Sequence, residues 1–333
     1  MALPNQNPSR LGQVNAAGND RELFLKLYAG EVLTAFEQKN VFMPLHRTRT
    51  ITAGKSAQFP MTGVASAKYH TPGAMIEADK IKHGERTVTV DDLLISSQFI
   101  ARIDEAMSHF DVRSIYSKEA GNALANAADK NIARVIAKAA NIVDGATANA
   151  FFGGQFDDEV YTQNVTIGST SADAKVGKEI VAAIYAALEE FDKKDVTGEK
   201  VCVLPPEQYY ALLNATDVTS ATWLNKDVGG AGSIAAGVVP MVGGVRVVMS
   251  NHIPQSASQN TPDPMSRSGA YAGDFSALRG LIFTADAAAT VKLMDLGVES
   301  EYQIERQGTL MVARYAMGHN VLRPACAIAL NAA

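Results

Sequence analysis

The sequence predicts an α+β fold that is organised around one long helix and one long β-hairpin. From Asp111 to Ala140, alanines and larger apolar residues recur three and four positions apart, which is the spacing of one helix face. Residues 87–90 alternate threonine with valine, as a half-exposed strand does. Short apolar runs in the C-terminal half, bounded by glycine and proline, predict further strands.

The helix over 111–140 is long enough to span the whole molecule. About thirty residues at 1.5 Å each extend roughly 45 Å. A compact protein with the length of the whole chain has a radius of gyration of about 20 Å. Asp111 can accept hydrogen bonds from the first turn, and the segment 141–145 supplies the stop. Alanine-rich helices of this length also occur in enzymes and helix bundles, so these classes stay open at this point.

Residues 50–96 predict an extended loop that is built as a hairpin. The runs ITAGKSAQFPM and ERTVTVDDLL alternate as strands, and the segment between them contains Pro72-Gly73 and little that could form a core. If each arm holds about fifteen residues, the hairpin reaches up to about 50 Å. Because an isolated two-stranded hairpin is marginal in water, we expect it to lie on a neighbouring subunit. The alternative is a lid folded back on its own chain.

Shorter elements follow the long helix. An apolar stripe over 171–192 predicts a second helix with Asp173 as its cap. Val201 to Leu204 predicts a buried strand, and the prolines after it suit the first turn of a short helix. A further strand is expected at 245–249 and others in RGLIFTA, ATVKLMD and YQIER. The final run, 309–331, predicts two strands that turn at Gly318-His319 and end in the buried sequence ACAIAL, although its first half also fits a helix turn.

The composition excludes several classes of protein. The net charge of −5 and the pI near 5.7 argue against a surface that wraps nucleic acid, since such surfaces cluster lysine and arginine. The two cysteines, Cys202 and Cys326, lie in apolar runs and are expected to be buried, reduced thiols. No signal peptide pattern and no run of eighteen apolar residues occurs. We therefore expect a soluble protein made in the cytoplasm, with no membrane partner.

Motifs for catalysis or cofactor binding are weak. Gly54-Lys55-Ser56 lacks the earlier glycine of a phosphate-binding loop, because position 49 is arginine. The six histidines are scattered without the spacing of a metal site. The sequence therefore predicts no catalytic residue, no cofactor and no metal.

Four stretches together resemble one known family. AGEVLTAF at 29–36, AGKSAQFP at 53–60, IKHGERTVTVDDLL at 81–94 and DEAMSHFDVRSIYSKEAGNALANAAD at 104–129 resemble the major capsid protein of short-tailed, T7-like autographivirus phages. The resemblance implies an HK97-like fold. It implies an N-terminal arm over 1–49, the extended loop (E-loop) over 50–96, and a peripheral domain over 97–165 with the spine helix 111–140. It further implies an axial domain over 166–299 and a return of the chain to the peripheral domain over 300–333.

The same resemblance implies a function in assembly. Copies of the chain would form pentamers and hexamers of an icosahedral shell that encloses double-stranded DNA without sequence-specific binding. Its other partners would be a scaffolding protein during assembly in the host cytoplasm and a portal at one vertex. A structural protein of a phage tail or scaffold, and a soluble cytoplasmic enzyme with an unrecognised pocket, are the alternatives.

The extended loop is the expected contact between subunits. The residues assigned to it are Lys55, Gln58, Phe59, Lys68, Tyr69, His70, Pro72 and Glu77.

Overall fold

The structure is a computed structural model that describes residues 40–62, 67–73, 75–76, 78, 81, 83–103, 112–142, 163–213, 241–255 and 269–333. Its helices are α1 Val112–Ala140, α2 Gly177–Lys193 and α3 Pro206–Leu213. Its strands are β1 Arg47–Thr50, β2 Ser56–Thr62, β3 His83–Thr89, β4 Leu94–Ala101, β5 Asn164–Ile167, β6 Val201–Leu204, β7 Met241–Val242, β8 Val245–Met249, β9 Leu278–Phe283, β10 Ala288–Gln303, β11 Gly308–Val321 and β12 Ala327–Ala332. Most of the predicted N-terminal arm, residues 1–39, lies outside the described residues.

The strands form two sheets and a separate hairpin. One sheet has the order β1-β10-β11-β4, the other has the order β5-β12-β9-β6-β8-β7, and among the described strands β2 pairs only with β3. The four residues of β6 are all buried, because this strand lies between β9 and β8 in the middle of its sheet. The predicted strand β6, the proline-started helix α3 and the strand β8 are confirmed with the expected bounds.

The long helix α1 joins the two sheets. Leu124 and Ala128 near its middle pack on Ala313 and Tyr315 of β11, whereas the later part, around Ile136, belongs to the larger core that includes β9 and β12. Its 29 residues extend about 43 Å at 1.5 Å per residue. The long helix is confirmed, and so is the burial of its apolar face from Leu124 to Ala139, whereas Ala123 on the same predicted face is exposed. The side chains of 112–118 and 120, and the predicted cap Asp111, lie outside the described residues.

The prediction that Asp173 caps the second helix is wrong. Helix α2 begins at Gly177, and Val176 precedes it without a side-chain cap. The Asp173 carboxylate instead accepts hydrogen bonds from the N–H groups of Ser169 and Thr170, each at 2.8 Å. These two bonds lower the pKa of Asp173. The aspartate therefore orders the turn before the helix.

Two predictions about the C-terminal strands are also wrong. YQIER is not a separate strand, because β10 runs unbroken to Gln303 and is followed by a 3₁₀ turn over Ile304–Arg306. Gly318-His319 is not a turn, because both residues lie inside β11. The chain turns later, at the 3₁₀ turn Pro324–Cys326. The predicted burial of the last apolar run is confirmed by Ile328 and Leu330, which are both fully buried.

The division into peripheral and axial domains stays a prediction. β10 crosses the expected boundary between 299 and 300. Of the last 34 residues, β11 lies in the four-stranded sheet and β12 in the six-stranded sheet.

Candidate functional site

The hairpin β2–β3 has short, regular arms. The register runs from Ser56 opposite Thr89 to Thr62 opposite His83, so the paired part spans about 23 Å at 3.3 Å per residue. The arms of about fifteen residues that the sequence suggested are thus only seven residues long. Beyond them, Pro72-Gly73 forms a turn in which Gly73 has φ +89°, as the glycine after proline in a type II turn requires.

The base of the hairpin is docked on its own chain. Ala57 and Val88 are buried against Ala289 and Val291 of β10. Three hydrogen bonds lie beside this apolar contact: Arg86 Nε donates to Val321 O, Arg86 Nη2 donates to Asn320 Oδ1, and Asn320 Nδ2 donates to Thr87 O, each at 3.3 Å. Burial lowers the pKa of Arg86.

Gly318 lets the hairpin base approach β11 closely. A Cβ atom at this position would lie 1.9 Å from the carbonyl oxygen of Thr89 and 2.8 Å from the Cα atom of Val90. Next to it, the N–H of Asp91 donates to the carbonyl oxygen of Met317 at 3.1 Å. The glycine that the sequence suggested as a turn therefore serves as the crossing point of two strands.

The tip of the hairpin carries large apolar side chains in full contact with solvent. Tyr69 is fully exposed, Met75 is 89% exposed and Ile76 is 80% exposed; Ile81, nearer the strands, is 41% exposed. Scattered exposed apolar residues are normal on a monomer, whereas several large ones within one short loop are unusual.

The predicted contact residues fall into two groups. Lys68, Tyr69, His70 and Pro72 are exposed at the tip, as expected; Glu77 lies outside the described residues.

The other three lie at the base, on β2 or just before it. Lys55 and Gln58 are exposed, and Gln58 already bonds within the hairpin, donating from Nε2 to Glu85 Oε1 at 3.0 Å. Phe59 is half-buried and packs on the cluster around Val88 of its own chain. Phe59 thus stabilises the docked base.

Met75 and Ile76 were missed by the sequence analysis. Their signal was present, because GAMIEA places two large apolar residues in a polar loop where no strand or helix pattern would bury them.

Groups that could support chemistry are sparse among the described residues. Cys202 and Cys326 are buried free thiols, as predicted, and burial raises the pKa of Cys202 to about 12. In the described part of the chain, no group of three or more His, Cys, Asp or Glu side chains could hold a metal ion. A cleft of about 100 Å³ near the end of α1 is lined by Asp274, Ser276 and apolar or amide residues, without a histidine or cysteine. None of the described helices is both long and apolar enough to cross a membrane.

Known proteins similar to this chain are phage capsid proteins. A family model described as "Gp10A-like: Major capsid protein" matches residues 58–331. The major capsid protein of Enterobacteria phage T3 is 33% identical over 336 residues, which cover 96% of this chain and 94% of that protein. The major capsid protein of Escherichia phage T7 is also 33% identical, over 94% of this chain and 93% of that protein. The capsid structure of Cyanophage P-SCSP1u matches with a TM-score of 0.75 and 38% identity over 99% of both chains.

Proposed function

This chain belongs to the Gp10A-like family of phage major capsid proteins, and from that premise we propose that its hairpin tip joins each copy to the next in pentamers and hexamers. The chain has the HK97-like fold of the capsid proteins that it resembles, and it forms the shell of the virion by self-association. The relatives match it over almost its whole length, so the tail-protein and enzyme alternatives are not retained.

The observation that carries the proposal is the apolar tip on a docked base. The base is fixed on its own chain by the contacts of Val88 and Arg86. Met75 and Ile76 are exposed in the single subunit. In a ring, one surface of each copy meets a different surface of the next copy. A projecting tip that lies on the neighbour supplies such a heterologous contact.

The energy of one such contact is modest. Burying Tyr69, Met75 and Ile76 contributes about 1.5–3 kcal/mol for each side chain, or roughly 5–9 kcal/mol in total. Association costs about 4–15 kcal/mol in lost freedom of motion, so one contact alone gives little net affinity. In a closed shell every copy meets several neighbours at once, and the combined contacts become strong. Weak individual contacts also allow misplaced copies to leave during growth.

The remaining partners follow from the shell. Assembly takes place in the host cytoplasm on a scaffolding protein, with a portal at one vertex. The net charge of −5 suits a shell that encloses double-stranded DNA without binding it tightly, because tight phosphate binding needs clustered lysine and arginine. The chain performs no catalysis in this role.

The tip can be tested with a matched pair of variants. In the first variant, Met75→Ser and Ile76→Ser replace the apolar surface with a polar one; in the second, Met75→Leu and Ile76→Val keep it apolar. Because both side chains are solvent-exposed in the subunit, we expect both variants to stay soluble and to keep the wild-type unfolding temperature. Co-expression with the scaffolding protein, followed by sedimentation and electron microscopy, measures shell formation.

We expect shells from the Leu/Val variant and free subunits from the Ser/Ser variant. Deletion of residues 66–78 should likewise leave a soluble subunit that forms no shell. Normal shells from the Ser/Ser variant would refute the proposed contact.

A further inference from the structure

A run of buried and half-buried hydrogen bonds begins at the base of the hairpin. The hydroxyl of Tyr271, which is 1% exposed, donates to Asp91 Oδ2, just after β3. The same hydroxyl accepts the backbone N–H of His319 at 3.2 Å. The rings of Tyr271 and His319 also touch, with 5.8 Å between their centroids. The exit of the hairpin is thereby bonded to β11 through a side chain from a third segment.

The run continues from His319 across β10 to the beginning of the described chain. His319 Nδ1 lies 2.7 Å from Thr290 Oγ1, which also bonds His46 Nε2, and His46 Nδ1 lies 2.8 Å from the carbonyl oxygen of Phe42. A carbonyl oxygen only accepts, so His46 carries its hydrogen on Nδ1, and the neutral ring then accepts at Nε2. Thr290 therefore donates to His46 and accepts from His319. Burial lowers the pKa of both histidines, which keeps the rings neutral.

The run ends on the long helix. Asp129 of α1 is fully buried, and its carboxylate accepts the N–H of Phe42 at 2.9 Å and that of Val41 at 3.0 Å. It also bonds His252 Nδ1, which follows β8, at 2.7 Å. A buried carboxylate is costly unless donors surround it. Phe42 is thus held at both its N–H and its carbonyl oxygen.

We propose that this run of hydrogen bonds, from Asp91 through Tyr271, His319, Thr290 and His46 to Phe42 and Asp129, is a latch that couples the hairpin base to the segment 41–46. Tyr271, His319, Thr290, His46 and Asp129 are buried and Asp91 is half-buried, so the loss of one bond inside the run leaves a buried polar group unsatisfied. Loosening at one end therefore favours loosening at the other. If the hairpin tip binds a neighbour as proposed above, the segment 41–46 responds to that contact.

Hydrogen–deuterium exchange of the unassembled, full-length subunit tests the latch without requiring shell formation. Thr290→Val removes the central hydroxyl and keeps the shape of the side chain. Thr284→Val is the control, because it makes the same change at a buried threonine whose hydroxyl is outside the run. Tyr271→Phe is the second test variant, since Tyr271 lies at the hairpin end and bonds no residue of 41–46.

We expect Thr290→Val to speed amide exchange at least about tenfold in two separate segments, 41–46 and 84–91, while α2 and β6 exchange as in the wild type. Tyr271→Phe should speed exchange in 41–46 as well as at its own end, and Thr284→Val should change neither segment. Faster exchange at only the altered end, or an equal increase throughout the chain, would overturn the latch. Because the readout is made on single subunits, it is independent of whether the tip contact forms.

Discussion

Replacement of Gly318 by alanine tests the close crossing of the hairpin base and β11. The added Cβ would lie 1.9 Å from the oxygen of Thr89, whereas real Cβ contacts essentially never fall below 3.0 Å. The opposing atoms belong to the backbone of Thr89 and Val90, so no side-chain rotation can relieve the clash. One of the two strands must move by more than about 1 Å.

The cost can be estimated from the contacts that such a movement stretches. Overpacking in a well-packed core costs about 1–3 kcal/mol. Here the bonds of Arg86 to β11 and of Asn320 to Thr87 lie within two or three residues of the clash. We therefore expect a loss at the upper end, about 3 kcal/mol, out of a total stability of about 5–15 kcal/mol.

Gly280→Ala provides a matched control for this measurement. Gly280 also lies inside a buried strand, but its added Cβ would meet Leu204 Cδ2 at 2.7 Å and Leu330 Cδ1 at 3.2 Å. These are ends of side chains that can turn away, so the loss should be smaller by at least about 1 kcal/mol. Urea unfolding of the unassembled subunit measures both values. Equal stability losses for the two variants, or no loss for Gly318→Ala, would refute the close crossing.

Two further predictions concern the core. Leu124→Asp places a charge in the buried contact between α1 and β11, which costs several kcal/mol, and we expect the subunit to become insoluble. The control Lys130→Asp, on the exposed side of α1, should leave it soluble. A soluble Leu124→Asp subunit that still assembles would show that the wrong helix face was assigned. The second prediction is acid sensitivity. Burial lowers the pKa of His319 from 6.5 to about 3, so between these pH values the unfolded state binds more protons than the folded state. The free energy of unfolding therefore falls as the pH drops below about 6.5, by about 2 kcal/mol at pH 5. Burial raises the pKa of Asp91, which changes stability with pH in the opposite direction. The test therefore compares urea midpoints at pH 7 and pH 5 for the wild type and for His319→Gln. The same pH dependence in both proteins would contradict the contribution of His319.

The long helix and the central strands could be predicted because local pattern and final environment agree. α1 repeats its apolar face over 29 residues, and β6 is a short apolar run followed by proline. The strands β1 and β4 were not predicted. All four residues of β1, RTRT, are exposed on a sheet edge, and its pairing with β10 depends on a strand more than two hundred residues away.

Gly318 shows why the C-terminal strands were placed wrongly. A glycine favours a turn by its backbone freedom, but it also permits the close approach of another chain segment. The sequence around Gly318 does not distinguish these two uses; only the position of Thr89 over β11 does. The predicted break in β10 is also absent. The strand continues through two register shifts between Lys292 and Gly297, and a local shift of this kind does not end a strand.

The hairpin was predicted from the alternation of its two strands and from Pro72-Gly73 between them, but the roles of its residues could not be separated in the sequence. Phe59 and Tyr69 are both aromatic residues of the same loop, and only the fold shows that Phe59 packs on its own chain while Tyr69 faces solvent. The hydrogen-bonded histidines were equally inaccessible. His46 and His319 are 273 positions apart in the sequence, and both bond the hydroxyl of Thr290.

A reconstruction of assembled shells by electron microscopy, at a resolution that shows side chains, would show whether the hairpin tip joins neighbouring copies. We expect closed shells of pentamers and hexamers in which Met75 and Ile76 of each copy are buried on the adjacent copy, while Val88 and Arg86 keep their contacts with β10 and β11. Closed shells in which the hairpin tip faces solvent, or folds back on its own chain, would contradict this expectation.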